Sequence, residues 1–63
     1  MPEKLDQHDI LDLRKRAKLT QKQMAEILGV AEFTIRRWEK GEARPSQLAQ
    51  RQLQRLHKKN SHA

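Results

Sequence analysis

A chain of 63 residues has room for a single small domain, and the absence of cysteine excludes disulfides and thiolate metal sites. Its 14 Lys and Arg residues outnumber eight Asp and Glu residues, for a net charge of +6, and every acidic residue lies at or before Glu42. This basic excess indicates either contact with nucleic acid or simply a well-solvated surface.

The commonest residue types are helix formers, so an all-α fold is expected. No apolar run is long enough for a membrane span or a signal peptide. We therefore expect a cytoplasmic protein that has no membrane partner.

The first predicted helix covers roughly residues 7–17 and follows a flexible lead, residues 1–5. Asp6 has the character of an N-cap, and Asp9 lies three residues later, close to the free backbone amides. Leu5 precedes this cap as in a hydrophobic staple. The apolar residues that recur at helical spacing are Ile10, Leu13 and Ala17.

The second predicted helix covers about 21–28. Thr20 marks its start, because the threonine hydroxyl accepts a hydrogen bond from the backbone amide three residues later. Gly29 ends it, since glycine adopts the left-handed conformation at little cost. Its apolar positions are Met24, Ala25, Ile27 and Leu28.

A third helix is predicted from about residue 31 to Lys40, where Gly41 ends it. Ile35 and Trp38 lie three residues apart on one face, and we expect the tryptophan in the core. Adjacent side chains on a helix diverge by about 100°. Arg36 and Arg37 therefore point in different directions.

A last helix is predicted over about 47–58, capped by Ser46, and residues 60–63 are expected to form a flexible tail. Two interpretations of its apolar stripe are open: it covers helices 1 and 3, or it leaves apolar area for a two-fold dimer. Its basic residues either contact phosphates or anchor the tail electrostatically. The apolar stripe is Leu48, Ala49, Leu53 and Leu56, and the basic residues are Arg51, Arg55, Lys58 and Lys59.

Helices 2 and 3 together have the features of a helix-turn-helix: a tight glycine corner, a small residue at the crossing, and an apolar seam on both helices. Ala25 is the small residue at the crossing, and Gly29 supplies the corner. The predicted structural core is Leu13, Met24, Ala25, Leu28, Gly29, Val30, Ile35 and Trp38.

From Ile10 to Leu56 the chain resembles the phage-repressor-like (Xre-type) family of helix-turn-helix regulators. The stretches that carry this resemblance are Leu19-Thr20-Gln21, Met24-Ala25, Leu28-Gly29-Val30 and Ile35-Arg36-Arg37-Trp38-Glu39-Lys40-Gly41. The resemblance implies a lambda-repressor-like compact bundle of about four helices, with a DNA-binding domain over residues 6–59. The ending Trp-Glu-Lys-Gly followed by Arg44-Pro45-Ser46 is similar to a compact subgroup that includes many antitoxin-type autorepressors.

The resemblance also implies roles for individual residues. Helix 3 matches the recognition helix, which reads bases in the major groove. Gln21 matches a phosphate-contacting position, and Arg14 and Glu39 match a pair that ties helix 1 to helix 3. The candidate base contacts are Glu32, Phe33, Arg36 and Arg37, and the candidate phosphate contacts are Thr20, Gln21, Lys22, Lys40 and Arg44.

Two residues depart from the family pattern. Ala31 stands where a capping residue is usual, which removes a side-chain cap worth roughly 1 kcal/mol. Glu32 has three open interpretations: it accepts from a cytosine amine, it discourages non-specific binding, or it replaces the missing cap electrostatically. For Phe33, contact with a thymine methyl group and packing in the core are both open.

We therefore predict a sequence-specific, double-stranded DNA-binding transcriptional regulator, a repressor, which acts as a homodimer at least on DNA. The alternatives are an antitoxin that also binds a toxin protein and a helix-turn-helix module for protein interaction. No enzyme activity, cofactor or metal is expected, because the sequence has no catalytic pattern and its three histidines lack metal-ligand spacing.

Overall fold

The computed structural model describes residues 4–60, which form four helices and no strand. The helices are α1 (Gln7–Arg16), α2 (Gln21–Leu28), α3 (Glu32–Lys40) and α4 (Gln47–Lys59). This arrangement confirms the predicted all-α bundle, and the helix boundaries agree with the sequence patterns to within about one residue. None of the helices in this part of the chain is both long enough and apolar enough to span a membrane.

Side-chain caps start three of the helices. Asp6 Oδ1 accepts from the Asp9 amide at 2.9 Å, and Asp9 Oδ2 accepts from the Asp6 amide at 3.1 Å, which forms a capping box. Thr20 forms the same arrangement at the start of α2, and Ser46 Oγ accepts from a backbone amide at the start of α4. Ala31 precedes α3 without a side-chain hydrogen bond, as its sequence predicts.

Left-handed residues end the first three helices. Gly29 has a φ of 71° and Gly41 a φ of 77°. Because glycine has no Cβ, the chain turns after α2 and α3 without steric strain. Lys18 adopts a φ of 58° after α1, and the amides of Lys18 and Leu19 donate back to carbonyls of α1. A non-glycine residue here costs conformational energy, because Cβ crowds the carbonyl oxygen.

The core lies where α2 and α3 pack against each other, with α1 on α3 and α4 on α1 and α2. Its buried residues are Leu5, Ile10, Leu13, Met24, Ala25, Leu28, Ile35, Trp38, Ala49 and Leu53. Val30, a predicted core residue, is half-buried against this cluster. Gly29, predicted with the core, is exposed and contributes only the backbone turn.

The flexible lead predicted for residues 1–5 is wrong at Leu5, which is 2% exposed. Its backbone amide donates to Gln50 Oε1 and its carbonyl accepts from Gln50 Nε2, both at 2.9 Å. This pairing fixes the chain before α1 onto α4. Residues 1–3 lie outside the described residues.

Two apolar positions of the predicted helices lie on the surface, outside the core. Ile27 is 56% exposed and Leu48 is 66% exposed. At about 100° per residue, both lie more than a quarter-turn from the centre of the buried face of their helices. Asn60, the first residue of the predicted tail, caps α4, and its side chain donates to Leu56 O, while residues 61–63 lie outside the described part of the chain.

Candidate nucleic-acid interface

The outward face of α3 is polar and cationic except for one aromatic ring. Ile35 and Trp38 are buried on the inward face, at 0% and 4% exposure. Since one turn takes 3.6 residues, the positions opposite them share one surface. That surface carries Phe33, Arg36, Arg37 and Lys40, all exposed.

Phe33 is 57% exposed, so the structure places it on the surface and not in the core. This position excludes the core-packing alternative left open by the sequence. An exposed phenyl group between cationic side chains is an apolar contact point on an otherwise polar face.

The two adjacent arginines of α3 have different surroundings. Arg36 Nη2 lies 4.0 Å from Glu32 Oε2, in a pair one turn apart whose side chains are about half exposed. Arg37 makes no ion pair with any described residue. Its guanidinium therefore presents its donors to the solvent.

One glutamate of α3 connects this helix to the beginning of α2. Gln21 Nε2 donates to Glu39 Oε1 at 3.2 Å, which holds the glutamine side chain half-buried. Thr20 uses its hydroxyl to cap the amide of Gln23, and Lys22 is exposed. The sequence does not predict the bond from Gln21 to Glu39, because the residues lie 18 positions apart on different helices.

Glu39 is also the anchor of an ion pair that connects α1 and α3. Arg14 Nε donates to Glu39 Oε2 at 2.6 Å, and Arg14 Nη2 donates to Glu39 Oε1 at 3.0 Å. A third bond runs from Arg14 Nη1 to the carbonyl of Leu19 at 3.1 Å. These bonds raise the pKa of the Arg14 guanidinium above its usual value, chiefly through the hydrogen bond to Glu39. The pair fixes the rotation of α3 relative to α1.

Two further candidate phosphate contacts lie at the end of α3 and in the segment that follows it. Lys40 ends α3, and Arg44 lies in the connection to α4; both are exposed. Arg44 lines an open groove together with Trp38 and Gly41. The described residues contain no group of His, Asp or Glu side chains arranged to hold a metal ion.

Two short helices joined by a tight glycine turn, the second with a cationic outward face, define a helix-turn-helix domain. A family model described as helix-turn-helix matches residues 10–49, which extend from within α1 into the first turn of α4. The chain belongs to this family, whose phage-repressor-like (Xre-type) members are DNA-binding regulators. No curated protein and no solved structure matches the chain.

Proposed function

We propose that this protein is a sequence-specific transcriptional repressor that inserts α3 into the major groove of double-stranded DNA. The observation that carries the proposal is the division of α3 into a buried apolar face and an exposed face with Phe33, Arg36, Arg37 and Lys40. A helix of this kind fits the major groove, where each base pair presents a distinct pattern of donors and acceptors.

Arg37 is the principal base contact of this proposal. Its guanidinium has no ion-pair partner among the described residues, and arginine binds guanine O6 and N7 with two parallel donors. Phe33 lies one turn before Arg37 and is suited to the methyl group of a thymine. Arg36 and Glu32 complete the base-reading set. Their 4.0 Å pair is too long for a hydrogen bond, so both side chains keep polar atoms for a base edge.

The phosphate contacts position α3 in the groove. Thr20, Gln21 and Lys22 surround the beginning of α2, where free backbone amides and the helix dipole favour an anion. The Gln21 amide keeps one N–H beyond its bond to Glu39, so it is able to donate to a phosphate oxygen. Lys40 and Arg44 supply contacts at the other end of the recognition helix.

Repression would follow from occupation of a promoter by two copies on adjacent half-sites. One helix-turn-helix unit buries little surface, which limits affinity and specificity, and dimers on DNA overcome this limit. Access to DNA also makes the cytoplasm the expected location.

A selection from random duplexes followed by affinity measurements on Arg37→Ala tests this proposal. We expect a defined motif, and a loss of about 1–3 kcal/mol on that motif with one base position relaxed. Arg16→Ala is the matched control, because Arg16 is an exposed helical arginine of α1, and it should change binding little. An equal loss on selected and random DNA would make Arg37 a phosphate contact, and no binding even at low salt would favour a protein-interaction module.

An antitoxin that represses its own operon is the second candidate. It is favoured by the Trp-Glu-Lys-Gly ending of α3 followed by Arg44-Pro45-Ser46, which is similar to the compact subgroup that includes many antitoxin-type autorepressors. Co-purification with the product of a neighbouring gene would support this candidate, whereas recovery of the protein with DNA alone would count against it.

A further inference from the structure

The outer face of α4 carries a stripe of four cations, which we call the α4 basic stripe. Its first three members are spaced by four and three residues, so they share one side of the helix, and the fourth flanks them about 100° from the third. The opposite side holds the buried residues Ala49 and Leu53. The α4 basic stripe consists of Arg51, Arg55, Lys58 and Lys59, all exposed.

No described residue forms an ion pair with this stripe. The ion pairs of the described residues join Arg14 with Glu39, Arg16 with Asp12, and Arg36 with Glu32, and none involves α4. The chain contains no acidic residue after Glu42. The positive charge therefore remains available to an external anion.

A second copy of the chain is a poor occupant of this face, because a two-fold contact would bring two α4 basic stripes together. The apolar stripe of α4 is largely used within the domain: Leu53 is buried and Leu56 is half-buried against the core. Leu48 alone supplies exposed apolar area next to the cations. A protein partner usually requires more apolar and aromatic anchors than this, whereas a phosphate backbone requires only the charge.

The α4 basic stripe begins beside the end of the recognition helix. Arg51 lines the same open groove as Arg44, Gly41 and Trp38, which places it close to the proposed phosphate contacts. α4 has 13 residues and is about 20 Å long, which corresponds to roughly six base pairs at about 3.4 Å each.

We propose that the α4 basic stripe binds the phosphate backbone of the same duplex, outside the base pairs that α3 reads. This inference rests on the proposed function, since it extends the contact surface of the same DNA-bound molecule. The stripe contributes affinity that depends on salt and on the length of flanking DNA but not on base sequence.

The test compares Arg51→Gln/Arg55→Gln with the control Lys15→Gln/Lys18→Gln, which removes one exposed cation in the last turn of α1 and one just after that helix. Arginine and glutamine have similar helix propensity, so α4 should stay folded, which circular dichroism would verify. Affinity is measured against salt on the selected motif, with long and with trimmed flanks. Loss of two phosphate contacts should reduce the slope of log affinity against log salt by about 1.8.

In fold-change terms, the wild-type chain should lose about tenfold more affinity than Arg51→Gln/Arg55→Gln between 50 and 200 mM salt. Trimming the flanks should weaken the wild type and the control but not this variant. The inference is overturned if both double variants have the same salt slope. It is also overturned if the wild type bound to an immobilised duplex captures a second duplex and Arg51→Gln/Arg55→Gln does not, because α4 would then bind a different DNA molecule. If the wild type binds no duplex at low salt, the proposed function itself fails.

Discussion

Replacing Glu39 by alanine should destabilise the domain more than any change at an exposed ion pair. The carboxylate accepts two hydrogen bonds from Arg14 and one from Gln21, and its side chain is only 7% exposed. Without it, the guanidinium of Arg14, which is 18% exposed, keeps only the carbonyl of Leu19.

Breaking a buried ion pair by removing one partner typically costs about 3–5 kcal/mol, because an uncompensated charge remains buried. Arg14 retains some solvent contact, so we expect about 2–4 kcal/mol for Glu39→Ala. At roughly 0.05–0.15 kcal/mol per residue, the whole domain has about 3–9 kcal/mol of stability. The substitution should therefore remove a large part of it.

Urea denaturation followed by tryptophan fluorescence measures this effect, because Trp38 is the only tryptophan and is buried in the core. Asp12→Ala is the matched control. Asp12 pairs with Arg16 at 3.0 Å, but both side chains are about 60% exposed. Exposed pairs contribute about 0–1 kcal/mol, so the control should unfold close to the wild type.

A double replacement distinguishes a buried charge from a general packing defect. Arg14→Met with Glu39→Met should recover much of the stability lost in Glu39→Ala, because apolar side chains leave no unpaired charge. A loss below about 0.5 kcal/mol for Glu39→Ala would refute the reasoning, since the pair would then behave as a surface pair.

Three further predictions concern the ends of the helices and are all measured by urea denaturation. Ala31→Ser should stabilise the domain by about 1 kcal/mol by capping α3, and no gain would mean that the amides are already satisfied. Lys18→Gly should raise the free energy of unfolding by about 0.5–1 kcal/mol, because it relieves the strain of the φ of 58°; this figure already subtracts the greater freedom of glycine in the unfolded chain. A lower free energy of unfolding would contradict the strain argument. The pKa of Asp6 lies below its usual 3.8, chiefly because its carboxylate accepts a hydrogen bond from the Asp9 amide. The stability that this carboxylate contributes is therefore fully present above pH 3.8 and is lost as the pH falls through the lowered pKa. The stability difference between the wild type and Asp6→Ser should therefore shrink in acid, and a difference constant with pH would disprove this assignment.

The helices were predictable because local signals agree at their ends. Asp6, Thr20 and Ser46 supply side-chain caps, and Gly29 and Gly41 supply left-handed turns. Each of these signals acts within a few residues of the chain, so the sequence alone is sufficient to find it.

The features that the sequence did not predict depend on contacts between distant residues. The attachment of Leu5 to α4 is one such feature, because Gln50, 45 positions later, binds both backbone groups of Leu5. The hydrogen bond between Gln21 and Glu39 forms only when α2 and α3 are packed together, so no local sequence signal predicts it. Ile27 and Leu48 belong to the apolar positions of their helices yet are exposed, because an apolar residue at the edge of a buried face has nothing local that distinguishes it from one at the centre.

The central claim is that the exposed face of α3 reads base edges in the major groove. The most direct measurement replaces each guanine of the selected motif in turn by 7-deazaguanine, which lacks the major-groove N7 acceptor, or by inosine, which lacks the minor-groove amine. We predict that one or more 7-deazaguanine substitutions weaken binding by about 1–3 kcal/mol, while inosine has little effect. Sensitivity to inosine without sensitivity to 7-deazaguanine would place the protein in the minor groove and contradict the account.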